Sequence, residues 1–286
     1  MDIRKYLQRI GVPPPAPPGP SWDALRALHR GHLLSVPFEN LALHCEEGGR
    51  LLSPADLQGV YDKIVTRRRG GLCYENNGLF SWLLSALHFE VTLLSAQVKN
   101  SLTGRYGPPF DHLLSMVRLG GRRWLCDVGF GGAGFRDPLS LEAEEGEPQR
   151  QGHRVYRVRK DRDTRFVEWL GEGDEAGEWV ALYKFTLDPR QREDFAEMCD
   201  YHQSSPSSLF FCKSVCTMGT PNGRLTYMGH TLTTTTFPTA TSALTTTART
   251  LEEEDIPLVL ETHFGVVLTS PLVPKNQDIL PPSVVY

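Results

Sequence analysis

The sequence predicts an α+β chain of more than one domain, and three observations carry that reading. Over about the first 90 residues, apolar side chains recur with the period of a helix, as in a helical bundle. From Phe89 the pattern changes to short runs rich in β-formers, broken by Gly, Pro and Asn; that is the pattern of a barrel or sandwich. Beyond Leu187, helix-like and strand-like segments alternate. At 286 residues the chain is long enough for two or three such units.

Asp2 is placed to cap a first helix with apolar positions Ile3, Tyr6, Leu7 and Ile10. The run PPPAPPGP, Pro13 to Pro20, stops it. Such a run is a stiff extended connection or, alternatively, a proline-rich ligand for another protein. A second helix starts at Ser21 and carries Leu25, Leu28, His29 and Leu33. In SVPFENLALH, Pro37 keeps Val36 out of the helical region. A third helix is expected from Ser53, with Pro54 in its first turn, through Leu57, Val60, Tyr61 and Ile64. It closes on Arg67-Arg68-Arg69, whose charge suits a helix C-terminus. Gly70 and Gly71 then break the chain, and a fourth helix runs from Cys73 to Leu87.

The strands expected next are FEVTLLSAQV, HLLSMVRL, RRWLCDVGF, HRVYRVRK, TRFVEWL and WVALYKFTL. A helix intervenes in LDPRQREDFAEMCDYHQSSPSS. KSVCTMG and GRLTYMGHTLTT follow, with Pro221-Asn222-Gly223 as a hairpin turn. The threonine-biased stretch containing Pro238 reads as an exposed edge strand and loop. Thr250 and Glu253 form a capping-box start for a final helix.

Composition removes several classes of function. A net charge of −4 with 40% hydrophobic and 22% charged residues makes no case for nucleic acid or an anionic membrane. The one basic run, Arg67 to Arg69, reads as a solvated patch or an anion contact. No apolar run approaches the roughly 20 residues that span a bilayer. MDIRKYLQRIGV is not a signal peptide, so a cytoplasmic protein is expected. The cysteines, Cys45, Cys73, Cys126, Cys199, Cys212 and Cys216, are scattered and read as reduced, mostly buried thiols. Cys212 and Cys216 are spaced for one helical face, but no histidine or second cysteine pair lies near them, so no metal is expected.

Cys73 stands apart. It follows two glycines and opens a helix, a setting that favours thiolate and lets backbone amides approach a developing oxyanion. A nucleophilic thiol also needs an imidazole. Of nine histidines, most fall on helices or in unremarkable contexts: His29, His32, His44 and His88 read as surface or packing residues, His153 lies in a charged strand, and His202 lacks an acidic context. His112 opens an apolar strand on a rigid sheet. Asp127 ends the next strand across the turn LGGRR, where antiparallel pairing brings the two side by side. An aspartate there is costly to bury unless paired. The alternative is a core thiol, a strand-end histidine and a strand-end aspartate with no joint role.

Taken together, RGGLCYENN, DHLLSMV, CDVGFG, VPFENLALHC and YHQSSPSS resemble, in order, motifs of the arylamine N-acetyltransferase family. MDIRKYLQRIG and LVPK are similar to its vertebrate members. The resemblance implies a helical domain over residues 1–88 carrying the nucleophile, a β-barrel over 89–190 carrying the histidine and aspartate, and an α/β lid over 191–286. It implies a cysteine-protease or transglutaminase-like core with Cys73, His112 and Asp127 as the catalytic groups. Phe38, Asp111 and Phe130 match acceptor-binding positions, and Tyr201 and Ser207 match positions that touch the coenzyme. Acetyl-coenzyme A is then the donor, an arylamine or hydrazine the acceptor, and the protein a monomer without metal. Departures are YGPPFD before His112, small residues in GGAGF after Phe130, and a short connection at GEGDEAGEW. The order Cys, His, Asp also serves a thiol hydrolase or transglutaminase-like enzyme, and a non-catalytic binding protein on the same fold is the third possibility.

Overall fold

The structure, a computed structural model, describes every residue except 15–18, 47–48, 101–102, 133, 143–145, 172–176, 239–242 and 282–286. The middle of the proline run, the short connection near Glu178 and part of the threonine-biased stretch thus lie outside the described residues.

Helix α1 (Ile3–Arg9) is capped by the Asp2 carboxylate, which accepts from the Arg4 and Lys5 amides. Helix α2 (Trp22–Ser35) is capped by the Ser21 hydroxyl. A two-residue strand β1 (Phe38–Glu39) and a 3-10 turn (Leu41–His44) follow. The third helix starts later than expected. Ser53 to Asp56 close a turn containing Pro54, and α3 (Leu57–Tyr61) is capped by Asp56, which accepts from the Gly59 amide at 2.9 Å. It runs on as a π-helical turn, Asp62–Thr66. Helix α4 (Cys73–Ala86) begins on the thiol. Its apolar side chains Leu79, Phe80, Leu83 and Leu84 form one core with α1, α2 and α3.

Strands β2 (Glu90–Val98), β3 (His112–Leu119), β4 (Arg122–Cys126), β5 (Leu139–Ser140), β6 (Gln149–Gln151), β7 (Arg154–Asp161), β8 (Thr164–Leu170) and β9 (Trp179–Phe185) form an antiparallel sheet in the order β5-β4-β3-β2-β9-β8-β7-β6. The sheet curls nearly into a barrel around Leu94, Leu114, Phe135, Tyr156 and Tyr183. Side chains join its two edges. The Gln149 carboxamide exchanges two hydrogen bonds with the Ser140 backbone, and Gln151 accepts from the Arg136 and Asp137 amides and donates to the Asp137 carbonyl. His153 lies in the turn before β7, not in the strand, and its ring packs on Phe237.

Helices α5 (Ala196–Ser204) and α6 (Leu209–Cys212) precede β10 (Val215–Thr220), β11 (Gly223–Met228), β12 (Thr231–Thr236) and β13 (Thr245–Thr250). The second sheet runs β1-β10-β11-β12-β13, so Phe38 and Glu39 from near the N-terminus are its first strand. The turn Pro221-Asn222 joins β10 to β11. Of the threonine-rich segment only β13 is an exposed edge; β12 is internal. Cys212 ends α6 and Cys216 lies in β10, so they share no helical face. Thr250 is not a helix cap: it pairs with Thr231, and a helical turn begins only at Glu253, leading into α7 (Ile256–Phe264). Among the described residues no helix is long and apolar enough to cross a membrane.

Candidate active site

The start of α4 is held by two buried ion pairs. Arg69 meets Glu39 with two hydrogen bonds of 3.0 Å, and the same carboxylate accepts from the Gly70 and Leu41 amides. Arg69 is therefore a buried structural cation, not part of a solvated patch. Burial alone would raise the Glu39 pKa, but Arg69, Lys63 and the amide donors bring it down to about 2. Glu75 accepts from the Leu72 amide at 3.1 Å and from Lys63 Nζ at 2.6 Å, closing the first turn of α4. The glycines act differently from expectation. The Gly70 amide is spent on Glu39 and the Gly71 amide on the Pro37 carbonyl, so neither is offered to an oxyanion. Their small size is what matters, since a methyl at Gly70 would run into the Pro37 carbonyl.

Cys73 is 4% exposed, His112 3% and Asp127 0%. His112 Nε2 lies 2.8 Å from Asp127 Oδ2, which leaves Nδ1 available to the thiol, and Cys73 packs in one cluster with Leu113, the next residue along β3. Burial would lower the His112 pKa; Asp127 and the Cys73 sulfur together raise it to about 10. Burial opposes ionisation of Asp127 too, yet His112, Asn77 and the Gly129 amide hold its pKa below the usual carboxylate value. Gly129 allows the Asp127 loop to close on the thiol, because a Cβ there would sit 2.7 Å from Cys73 Cα.

Two residues of this site escape a reading of the sequence. Asn77, one turn after Cys73, donates to Asp127 Oδ1 at 2.9 Å and to the Leu113 carbonyl, and accepts from the Val128 amide. The i, i+4 spacing from Cys73 was the available signal. His29, taken for a surface or packing residue, is fully buried; its Nε2 accepts from the Asp127 amide at 3.1 Å while Nδ1 donates to the Arg136 carbonyl. Its pKa is lowered, chiefly by burial. Phe110, at φ 63°, holds a backbone conformation costly for a bulky residue; the Tyr74 hydroxyl ties down its carbonyl at 3.0 Å, just ahead of His112.

Phe38 is half-buried against Phe210 and packs on the cluster containing Cys73. Phe130 meets the His112 ring edge-on at 5.4 Å. Asp111 turns inward. One oxygen accepts from the Val98 amide at 3.1 Å and the other lies 3.3 Å from His202 Nε2, off the line of a hydrogen bond. His202 thus has an acidic neighbour that sequence distance hid. Tyr201 packs its ring beside His202 on α5, and the Ser207 hydroxyl donates to the Pro281 carbonyl. Of the other thiols, burial pushes Cys126 and Cys216 up and Cys199 up to about 12, so they remain protonated at neutral pH. Among the described residues no group of three or more His, Cys, Asp or Glu is placed to hold a metal ion.

Residues 21–273 match a family described as N-acetyltransferase. The chain is 33% identical to arylamine N-acetyltransferase 2 of Mus musculus and to arylamine N-acetyltransferase 1 of Homo sapiens, in each case over 97% of this chain and 98% of the relative. Its fold is similar to that of the Mycobacterium smegmatis arylamine N-acetyltransferase, with a TM-score of 0.80 and 30% identity over 93% of this chain and 92% of the other. It is also similar to the Mycobacterium marinum arylamine N-acetyltransferase in complex with CoA, with a TM-score of 0.79 and 28% identity over 93% of each chain.

Proposed function

The chain belongs to the arylamine N-acetyltransferase family, and on that premise we propose that it carries an acetyl group from acetyl-coenzyme A to an arylamine or hydrazine nitrogen through acetyl-Cys73. One observation carries the role of the three residues: a buried imidazole lies 2.8 Å from a buried carboxylate, and the loop after that carboxylate closes on the thiol that opens α4.

In the first half-reaction the Cys73 proton resides on His112, whose charged form Asp127 stabilises. The thiolate attacks the thioester carbonyl of acetyl-coenzyme A, and the tetrahedral adduct expels the coenzyme thiolate, which takes a proton from His112. The exchange of one thioester for another is nearly balanced, so positioning and charge stabilisation supply most of the rate. The helix N-terminus favours negative charge at the sulfur. In the second half-reaction a neutral amine attacks acetyl-Cys73, its proton passes to His112, and the Cys73 thiolate leaves, which restores the starting ion pair. Arylamines are weakly basic and arrive uncharged, so one cleft serves both steps.

Phe38 and Phe130 form walls for the acceptor, with Asp111 shaping the loop that precedes His112. Tyr201 and Ser207 belong to the coenzyme side. The same reading divides the chain into a helical domain (1–88), a barrel (89–190) and an α/β lid (191–286) around a core of the cysteine-protease or transglutaminase kind. The order of elements supports the division, with helices α1–α4 before Phe89, an eight-stranded sheet within 89–190 and helices alternating with strands beyond 191. It carries with it a cytoplasmic monomer that requires no metal, nucleic acid or membrane.

Mass spectrometry after mixing with acetyl-coenzyme A alone tests the intermediate. The expected product carries one acetyl group on Cys73, and an added arylamine removes it. Turnover by a Cys73→Ala protein, or peptide hydrolysis without coenzyme, would count against the proposal and for the thiol-hydrolase alternative.

A further inference from the structure

A cavity of about 370 Å³ lies where the helical region, the barrel and the second sheet meet. Phe38 and Val128 are on its wall, and both adjoin the candidate site: Phe38 packs on the Cys73 cluster, and Val128 follows Asp127. Four arginines, Arg30, Arg136, Arg154 and Arg224, also line it, and among the described residues no aspartate or glutamate does.

Three of these guanidinium groups are engaged. Arg30 forms a two-pronged pair with Asp137. Arg136 donates to the carbonyls of Thr220, Pro221 and Gly223. Arg224 donates to the Gly132 carbonyl. Arg154 differs. It is 8% exposed, pairs with no carboxylate among the described residues, and its Nε has no hydrogen-bond partner. Its guanidinium is stacked 4.6 Å from the Trp169 ring centre and 5.5 Å from that of Phe237. A buried cation is costly without a counter-charge. Stacking on two aromatic faces offsets part of that cost and fixes the plane of the fork, the geometry that receives a carboxylate on two parallel N–H bonds.

The geometry points to this cavity as the seat of an anionic acceptor: an aromatic amine whose ring lies against Phe38 and whose far end carries a carboxylate received by Arg154. The inference rests on the acetyl-transfer reading. The volume is in the range of small-ligand pockets, far too small for a whole coenzyme A, and apolar walls beside a cationic end suit a ring bearing one acid group better than a bare phosphate.

Equilibrium binding and steady-state acetylation of p-aminobenzoate, p-aminohippurate and uncharged p-toluidine, in wild type and Arg154→Met, test it. Wild type should prefer at least one of the carboxylates to p-toluidine. Arg154→Met should weaken that carboxylate about ten- to a hundredfold more than p-toluidine, the scale of a lost charge-assisted hydrogen bond, while Arg154→Lys should keep part of the preference. Equal weakening of all three acceptors would overturn the inference. So would a wild type that does not prefer either carboxylate, a comparison that stands even if the Met variant fails to fold. A rise confined to the KM for acetyl-coenzyme A would assign Arg154 to the coenzyme phosphates and equally overturn it. Binding is read without turnover: carboxylate capture without acetyl transfer supports this site and sinks the acetyl-transfer reading instead.

Discussion

Asn77 is the residue on which the alignment of the site depends most directly. Its carboxamide holds Asp127 Oδ1, the Leu113 carbonyl next to His112, and the Val128 amide at once. Asn77→Ala should lower kcat by about ten- to a hundredfold and stability by about 1–3 kcal/mol, since buried partners lose their bonds; steady-state kinetics and urea unfolding check both. His112 makes stability depend on pH. Its folded pKa is raised to about 10, whereas the unfolded chain releases that proton near pH 6.5. The contribution is therefore complete below about pH 6.5 and declines as pH rises toward 10. Asp127, held low, contributes above the ordinary aspartate pKa, and that part is lost as acid protonates it in the folded state. The stability difference between wild type and His112→Gln should shrink from about pH 6.5 to about pH 9. A difference constant over that window would mean that His112 is neutral in the folded protein.

At the level of elements, the decisive piece is the first turn of α4 with the loop before it. Glu39 on β1 joins Arg69 and the Gly70 amide, and Glu75 joins Lys63 and the Leu72 amide. These contacts set the direction of α4 and hence of Cys73. A buried pair is weak evidence of net stabilisation, but removing one partner strands the other charge. Glu39→Gln should therefore cost about 3–5 kcal/mol, measured by denaturant unfolding, and should reduce acetyl-Cys73 formation in the fraction that folds. The pair also predicts its own acid limit. With a folded pKa of about 2, the Glu39 contribution is present above the ordinary glutamate pKa of about 4.3 and is lost as pH falls toward 2.

Across the whole molecule, the site is a meeting point of separate cores. The thiol comes from the first residue of α4, His112 and Asp127 from the ends of β3 and β4, and Phe38 from a strand of the second sheet. The barrel side of this junction depends on side chains that stand in for missing backbone pairing. Gln151 binds the Arg136 and Asp137 backbone with three hydrogen bonds of 2.7–2.9 Å. Gln151→Ala should speed amide hydrogen exchange at Arg136 and Asp137 and cost about 1–3 kcal/mol, while exchange in α1 and α4 stays protected.

Period, capping residues and turn chemistry were enough to outline α1, α2, α4 and most strands, because those signals act over a few neighbours: Asp2 and Ser21 cap where expected, and Pro221-Asn222 turns where expected. The residue types around Cys73, His112 and Asp127 were legible for the same reason, since their motifs are local. Where two local signals competed, tertiary context chose. Ser53 yielded to Asp56 as a cap, and Thr250 was taken by pairing with Thr231. The burial of Arg69, the two-residue strand at Phe38, the inward turn of Asp111 to His202, and the roles of Asn77 and His29 had no local signature. Each is set by a partner tens of residues away, as Glu39 is for Arg69 and Asp127 for His29. Such pairings are chosen only when the cores close and buried polar groups must find partners in the space that remains.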